Sequence, residues 1–123
     1  MAINFTIIGL GQIGASIGLG LASQKDKILR SGHDPEPTLA RRMQKEGAVD
    51  RIFFNLPESV RDADVVILAL PVGQVGDTLK YIAEDLREGA VVIDTSPVHA
   101  GTIALARKYL PADRHFVSIY PVV

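Results

Sequence analysis

Gly9, Gly11 and Gly14 close an apolar run, Ile3 to Ile8, and Asp34 follows 20 positions after the last of them. Each residue type suits one task around a diphosphate. Lacking a Cβ, Gly9 lets the chain reverse tightly, Gly11 lets the backbone approach the anion, and Gly14 lets the next helix lie close to the strand. The first turn of that helix, where Leu10, Gln12 and Ile13 flank the glycines, offers main-chain N–H groups and the positive end of a dipole. A carboxylate at Asp34 can accept both hydroxyls of a ribose and repels a 2′-phosphate. The glycine spacing alone is a weak signal. With a strand before it, a helix after it and the acidic residue beyond, it reads as a dinucleotide turn, with NAD expected and NADP less favoured.

The elements that must position these residues can be read along the chain. A strand over 3–8 feeds a helix from Gln12 to about Gln24, with Ile13, Ile17 and Leu21 at four-residue spacing and Gly14 and Gly18 on a neighbouring row. Lys27 to His33 is a second, half-apolar strand ending at Asp34-Pro35. Thr38 to Glu46 is a helix with Leu39 and Met43 inward, entered through prolines and stopped by Gly47. Arg41, Arg42 and Lys45 form its solvated face, with Arg41 or Arg42 reaching back to the ribose as a weaker alternative. Val49 to Phe54 reads as an edge strand and Pro57 to Arg61 as a helical turn. Asp64 to Pro71 has the continuous apolar character of a strand buried on both faces. Val75, Leu79, Ile82 and Leu86 mark one helical face, Ala90 to Ile93 a fifth strand, and Val98 to Leu110 a helix with Ile103, Ala106 and Leu110 inward. His115 to Ile119 is the sixth strand. Alternation with short connections implies right-handed crossovers and an α/β fold: a doubly wound parallel sheet of Rossmann type, strand order 3-2-1-4-5-6, in three α/β/α layers.

Composition narrows the function classes. The 123 residues suit one domain, here a single dinucleotide-binding domain over 1–123, and 47% of them are apolar. Thirteen basic against fourteen acidic residues give a net charge of -1, so nothing calls for nucleic acid or an anionic membrane. With no cysteine there is no disulfide or thiolate chemistry, which fits a reducing cytoplasm. The apolar N-terminus lacks the basic region of a secretory signal, and no apolar run approaches the roughly 20 residues of a membrane span. His33, His99 and His115 lack metal-ligand spacing, and no acidic cluster completes a site, so no metal is expected.

In a sheet of this order, ligands bind beyond the carboxyl ends of the strands near the point where the order reverses. That rule gathers Gly9 to Ile13, Asp34, Leu70 to Gly73 (with Pro71 and Val72 as cofactor contacts), Thr95 to Pro97, and Tyr120-Pro121 into one cleft. Pro71 reads equally well as a simple strand terminator.

Four blocks now carry a resemblance: Gly-Leu-Gly-Gln-Ile-Gly-Ala-Ser-Ile-Gly from 9, His-Asp-Pro at 33–35, Asp-Ala-Asp-Val-Val-Ile-Leu-Ala-Leu-Pro-Val at 62–72, and Gly-Ala-Val-Val-Ile-Asp-Thr-Ser-Pro-Val at 89–98. Together they resemble the nucleotide-binding domain of prephenate and arogenate dehydrogenases over nearly the whole chain. The resemblance implies oxidation of a cyclohexadienol hydroxyl by hydride transfer to NAD, with loss of carboxylate as the ring becomes aromatic, on the route to tyrosine. It also implies a small-molecule substrate such as prephenate or arogenate, a homodimer in the full-length protein, and a helical C-terminal substrate and dimerisation domain not contained in this chain. The family's catalytic His-Pro pair after the sixth strand is Tyr120-Pro121 here, and its Ser-Val-Lys is Pro97-Val98-His99 with a serine one place earlier. A tyrosine, with a reference pKa near 10, is a poor base at neutral pH unless its surroundings lower that value. Ser96, His99 and Tyr120 are therefore the catalytic candidates. The alternatives are a nicotinamide-sensing regulatory module, from which the chain differs at Phe54-Asn55-Leu56-Pro57, and a related dehydrogenase of another hydroxy acid.

Overall fold

A computed structural model describes residues 2–96 and 99–119. Thirteen elements follow in order: β1 (Ile3–Ile8), α1 (Gln12–Gly20), a 3₁₀ turn (Ala22–Gln24), β2 (Ile28–His33), α2 (Pro37–Lys45), β3 (Arg51–Ile52), α3 (Leu56–Val60), β4 (Val65–Leu68), α4 (Val72–Ile82), a second 3₁₀ turn (Ala83–Asp85), β5 (Val91–Asp94), α5 (His99–Tyr109) and β6 (His115–Ser118). The six strands form one parallel sheet in the order β3-β2-β1-β4-β5-β6, the architecture expected from the alternation of elements.

Period-two side-chain placement divides the core into two layers. Ile8, Val66, Leu68 and Val92 point to one face and meet Val75, Leu79 and Ile82 of α4, Val60 of α3 and Ala106 of α5. Ile7 and Ile67 point to the other and meet Ala40 and Met43 of α2, Ala48 and Val49, with Ala15 and Ile17 of α1 against them. In β1, Ile7 and Ile8 thus serve opposite layers.

Several elements are shorter than their sequence patterns imply. α1 ends at Gly20, where Leu21 caps it and a 3₁₀ turn takes over. Its inward row is Gly14 and Gly18, while Ile13 is exposed, because the sheet and the α2–β3 connection come too close for any larger side chain. β3 is reduced to two residues, since it pairs only with Ser31 and Gly32 of β2. β4 stops at Leu68, and Pro71 serves as the N-cap of α4 rather than the end of the strand. In α5 the inward residues are Thr102 and Ala106, and Ile103 faces out. The predicted stop at Gly47 is present: with φ of 89°, it closes α2 while its N–H and that of Ala48 bond to the Gln44 and Met43 carbonyls.

Candidate dinucleotide-binding site

β1 delivers the chain into the glycine turn. Gly9 has φ of 95°, a conformation open to glycine and strained for residues with a Cβ; a Cβ there would also lie 3.0 Å from the Ala69 carbonyl carbon. A Cβ at Gly14 would overlap the Gly9 carbonyl, 2.9 Å from its carbon, so helix and turn touch main chain to main chain. At Gly11 a Cβ would meet nothing within 4 Å. That open space lies beside the first turn of α1, whose amides have no intrahelical acceptor, which is the geometry of a main-chain anion cradle.

Asp34, directly after β2, lies against this turn. Its Oδ2 accepts the Leu10 N–H at 2.8 Å and its Oδ1 accepts the Glu36 N–H at 2.9 Å. A carboxylate has about four lone-pair sites, so both oxygens can still accept hydroxyl protons. His33, one residue earlier, is buried with Nδ1 2.9 Å from the Phe53 carbonyl; a carbonyl only accepts, so Nδ1 carries the proton. Arg42 pairs with Glu46 and Arg41 lies over the Phe54 ring, 5.2 Å from its centroid. Each guanidinium thus has a partner other than Asp34.

The second part of the cleft, about 250 Å³, is lined by Gly11 and Ile13 of the glycine turn, by Leu70, Pro71 and Val72 at the start of α4, and by Thr95 and Ser96 after β5. Residues as far apart in the chain as Gly11 and Ser96, 85 positions, are brought together because β1, β4 and β5 are neighbours in the sheet. Gln12 lies on the other side, in a groove with Leu10 and Arg42 between α1 and α2. Gly9 and Gly14 lie beneath as packing. Of the catalytic candidates, Ser96 is in the cleft; His99 opens α5, and Tyr120 lies outside the described residues. Among the described residues no group of three metal-ligating side chains comes together, and no helix is long and apolar enough to cross a membrane.

Sequence reasoning passed over two charged groups that fix this geometry. Arg30, inside β2 and 4% exposed, donates from Nη1 to the carbonyls of Gly18, Gly47 and Ala48 at 2.7, 2.7 and 3.0 Å. Its Nη2 meets Asp50 Oδ1 at 3.0 Å, and Asp50 Oδ2 accepts the Arg30 main-chain N–H at 2.8 Å. Burial pushes the Asp50 carboxyl up, but the hydrogen bonds and charge of Arg30 outweigh it and hold the group below its ordinary value. The available signal was an arginine in the middle of a parallel strand with an aspartate 20 residues later. The second group is Asp94, fully buried at the end of β5, whose oxygens accept the Ser96 N–H at 3.0 Å and the Ser96 hydroxyl at 2.7 Å.

A parallel sheet in this order, with a glycine turn and a carboxylate at the tip of the neighbouring strand, defines a Rossmann-type nucleotide-binding domain. The family model "Prephenate dehydrogenase, nucleotide-binding domain" matches residues 17–123, and the chain belongs to that family. It is 32% identical to a prephenate dehydrogenase of Lactococcus lactis subsp. cremoris over 94% of this chain, and the match spans about a third, 33%, of that protein. The fold is shared with the prephenate dehydrogenase of A. aeolicus, solved in complex with hydroxyphenyl propionate and NAD+: TM-score 0.86 at 23% identity, over 99% of this chain and 42% of that one. A 3-hydroxyisobutyrate dehydrogenase of Mycobacterium tuberculosis superposes with TM-score 0.79 at 28% identity, over 96% of this chain and 40% of the other.

Proposed function

We propose that this chain is the NAD-binding domain of a prephenate- or arogenate-type dehydrogenase, acting within a longer cytoplasmic protein on the route to tyrosine. The observation that carries the reading is the 2.8 Å hydrogen bond from the Leu10 N–H to Asp34 Oδ2, which joins the ribose acceptor to the anion cradle. Bound there, NAD would supply the acceptor for a hydride from the carbon that bears the substrate hydroxyl, while the hydroxyl loses its hydrogen as a proton. The chain's own residues bind and orient: amides from Gly11 to Gly14 hold the diphosphate, Asp34, fixed by the Leu10 N–H, accepts the ribose hydroxyls, and Ile13, Leu70, Pro71 and Val72 keep water from one side of the nicotinamide. Ser96 and Thr95 face the same space. Like charge at Asp34 disfavours a 2′-phosphate, so NAD is favoured over NADP. The substrate pocket and the dimer contacts belong to the part of the protein beyond this domain, so the isolated chain binds NAD without turning substrate over.

A dehydrogenase of another hydroxy acid is the second reading, and the likeness to the 3-hydroxyisobutyrate enzyme favours it. Turnover of prephenate, arogenate or 3-hydroxyisobutyrate by the full-length protein separates the two. The cofactor is tested by calorimetry on the double variant Asp34→Ser/Pro35→Arg. The ratio of NAD to NADP affinity is expected to fall at least ten-fold. An unchanged ratio means that Asp34 does not reach the ribose.

A further inference from the structure

Thr95 and Ser96 form the β5 side of the cleft, and a count of their protons leads further than their presence. Each residue has two donors, a main-chain N–H and a hydroxyl. Both donors of Thr95 go to one carbonyl: its N–H lies 3.2 Å and its Oγ1 2.8 Å from the Leu68 oxygen. Both donors of Ser96 go to one carboxylate, with N–H to Asp94 Oδ1 at 3.0 Å and Oγ to Asp94 Oδ2 at 2.7 Å. Neither acceptor is open to water, since Leu68 and Asp94 are each 0% exposed. Both hydroxyls therefore keep only lone pairs for anything that enters the cleft.

We infer that Asp94 is a positioning residue that sets the hydrogen-bond polarity of Ser96, so that this wall of the cleft recognises a donor, the N–H₂ of the nicotinamide carboxamide. The inference rests on the dinucleotide reading above and deepens it. A carboxylate suits the task because it offers only acceptors. Asparagine at 94 has one acceptor and one donor group, so it can hold the Ser96 N–H or the Ser96 hydroxyl in the present sense, but not both. With its oxygen on the N–H, its amide donates to Ser96 Oγ and turns the hydroxyl proton into the cleft. Polarity at Ser96 is then reversed at almost unchanged volume.

The test compares two dinucleotides on the 123-residue chain by calorimetry: NAD, whose carboxamide can donate, and 3-acetylpyridine adenine dinucleotide, whose acetyl group can only accept. The unaltered chain is expected to bind NAD about ten-fold more tightly, the effect of one hydrogen bond. Asp94→Asn is expected to bring that ratio to one or below. Because Asp94 is buried and its variant is at risk of misfolding, Ser96→Ala serves as a second probe. It removes the acceptor while leaving the carboxylate in place, and it is expected to bring the ratio close to one. A general loss of packing lowers both affinities together and leaves their ratio untouched. Equal affinities in the unaltered chain, or a ratio unchanged in both variants, overturn the inference alone. Absence of binding by either dinucleotide overturns the dinucleotide reading and this inference with it.

Discussion

The two halves of the sheet are held together by different means. Around β1, β2 and β3, a side-chain layer is supplemented by direct main-chain approach, Gly14 against the Gly9 carbonyl and Gly18 against the Ala48 carbonyl, and by the Arg30 side chain tying the Gly18, Gly47 and Ala48 carbonyls together. Around β4, β5 and β6, side chains fill the space, with Val75, Leu79, Ile82 and Leu86 against Val66, Leu68 and Val92. Main-chain contacts admit no adjustment, whereas a side-chain layer tolerates repacking. On the proposed dinucleotide reading, the half that would hold the diphosphate and ribose, ligand parts that do not vary, is the one with the less adjustable contacts. The half whose cleft would face the reacting groups can change residue by residue.

A pair of glycines tests this contrast most severely. At Gly18 a Cβ would lie 2.9 Å from the Ala48 carbonyl carbon and overlap its oxygen; at Gly76 in α4 the nearest atom is Leu105 Cδ1, at 3.1 Å. Gly18→Ala is expected to cost more than the roughly 3 kcal/mol of ordinary overpacking, enough to leave little folded protein in urea titration. If Gly18→Ala melts like the parent chain, the main-chain contact is not what holds α1.

Arg30→Met comes next. It leaves Asp50 and the Gly18, Gly47 and Ala48 carbonyls without their donor, and a loss of about 1–3 kcal/mol is expected. The pH dependence carries the sign. Asp50 is held below its ordinary value in the folded chain, so its contribution is complete above the unfolded carboxyl pKa of about 3.9 and is lost as pH falls through the lower folded value. The stability gap between the parent and Arg30→Met should therefore be constant near neutrality and narrow below about pH 4. A gap independent of pH would mean that the ion pair contributes little.

Gly76→Ala gives the smallest effect. Helix propensity favours alanine by about 1 kcal/mol, and displacing the mobile end of Leu105 offsets it, so the net change should stay within about 1 kcal/mol. A loss as large as that at Gly18 would erase the distinction between the halves.

Much of the first half was legible because its signals are local. The 3–8 strand, the glycine spacing, Asp34 and the stop at Gly47 each depend on residues a few positions apart, and the strand order followed from alternation alone. In α1 the row of Gly14 and Gly18 was legible as the close-packing face; what the four-residue spacing could not show is that Ile13 ends exposed while Ile17 stays against the core. Ile103 was taken as inward in place of Thr102, because a buried hydroxyl is invisible to hydropathy. Ser96 was singled out by type, but its polarity depends on where its proton goes.

By itself, then, the sequence determined the class of sheet, the turn at 9–14 and the carboxylate that follows β2, since backbone conformation and hydrophobic period are written in neighbouring residues. Tertiary structure alone decided which main-chain carbonyls the α1 glycines meet, that Arg30 and Asp50 bind that approach in place, and that Thr95 and Ser96 turn lone pairs to the cleft. These are properties of atoms that meet only when distant segments pack, and a buried group's hydrogen-bond partners cannot be known before its neighbours are.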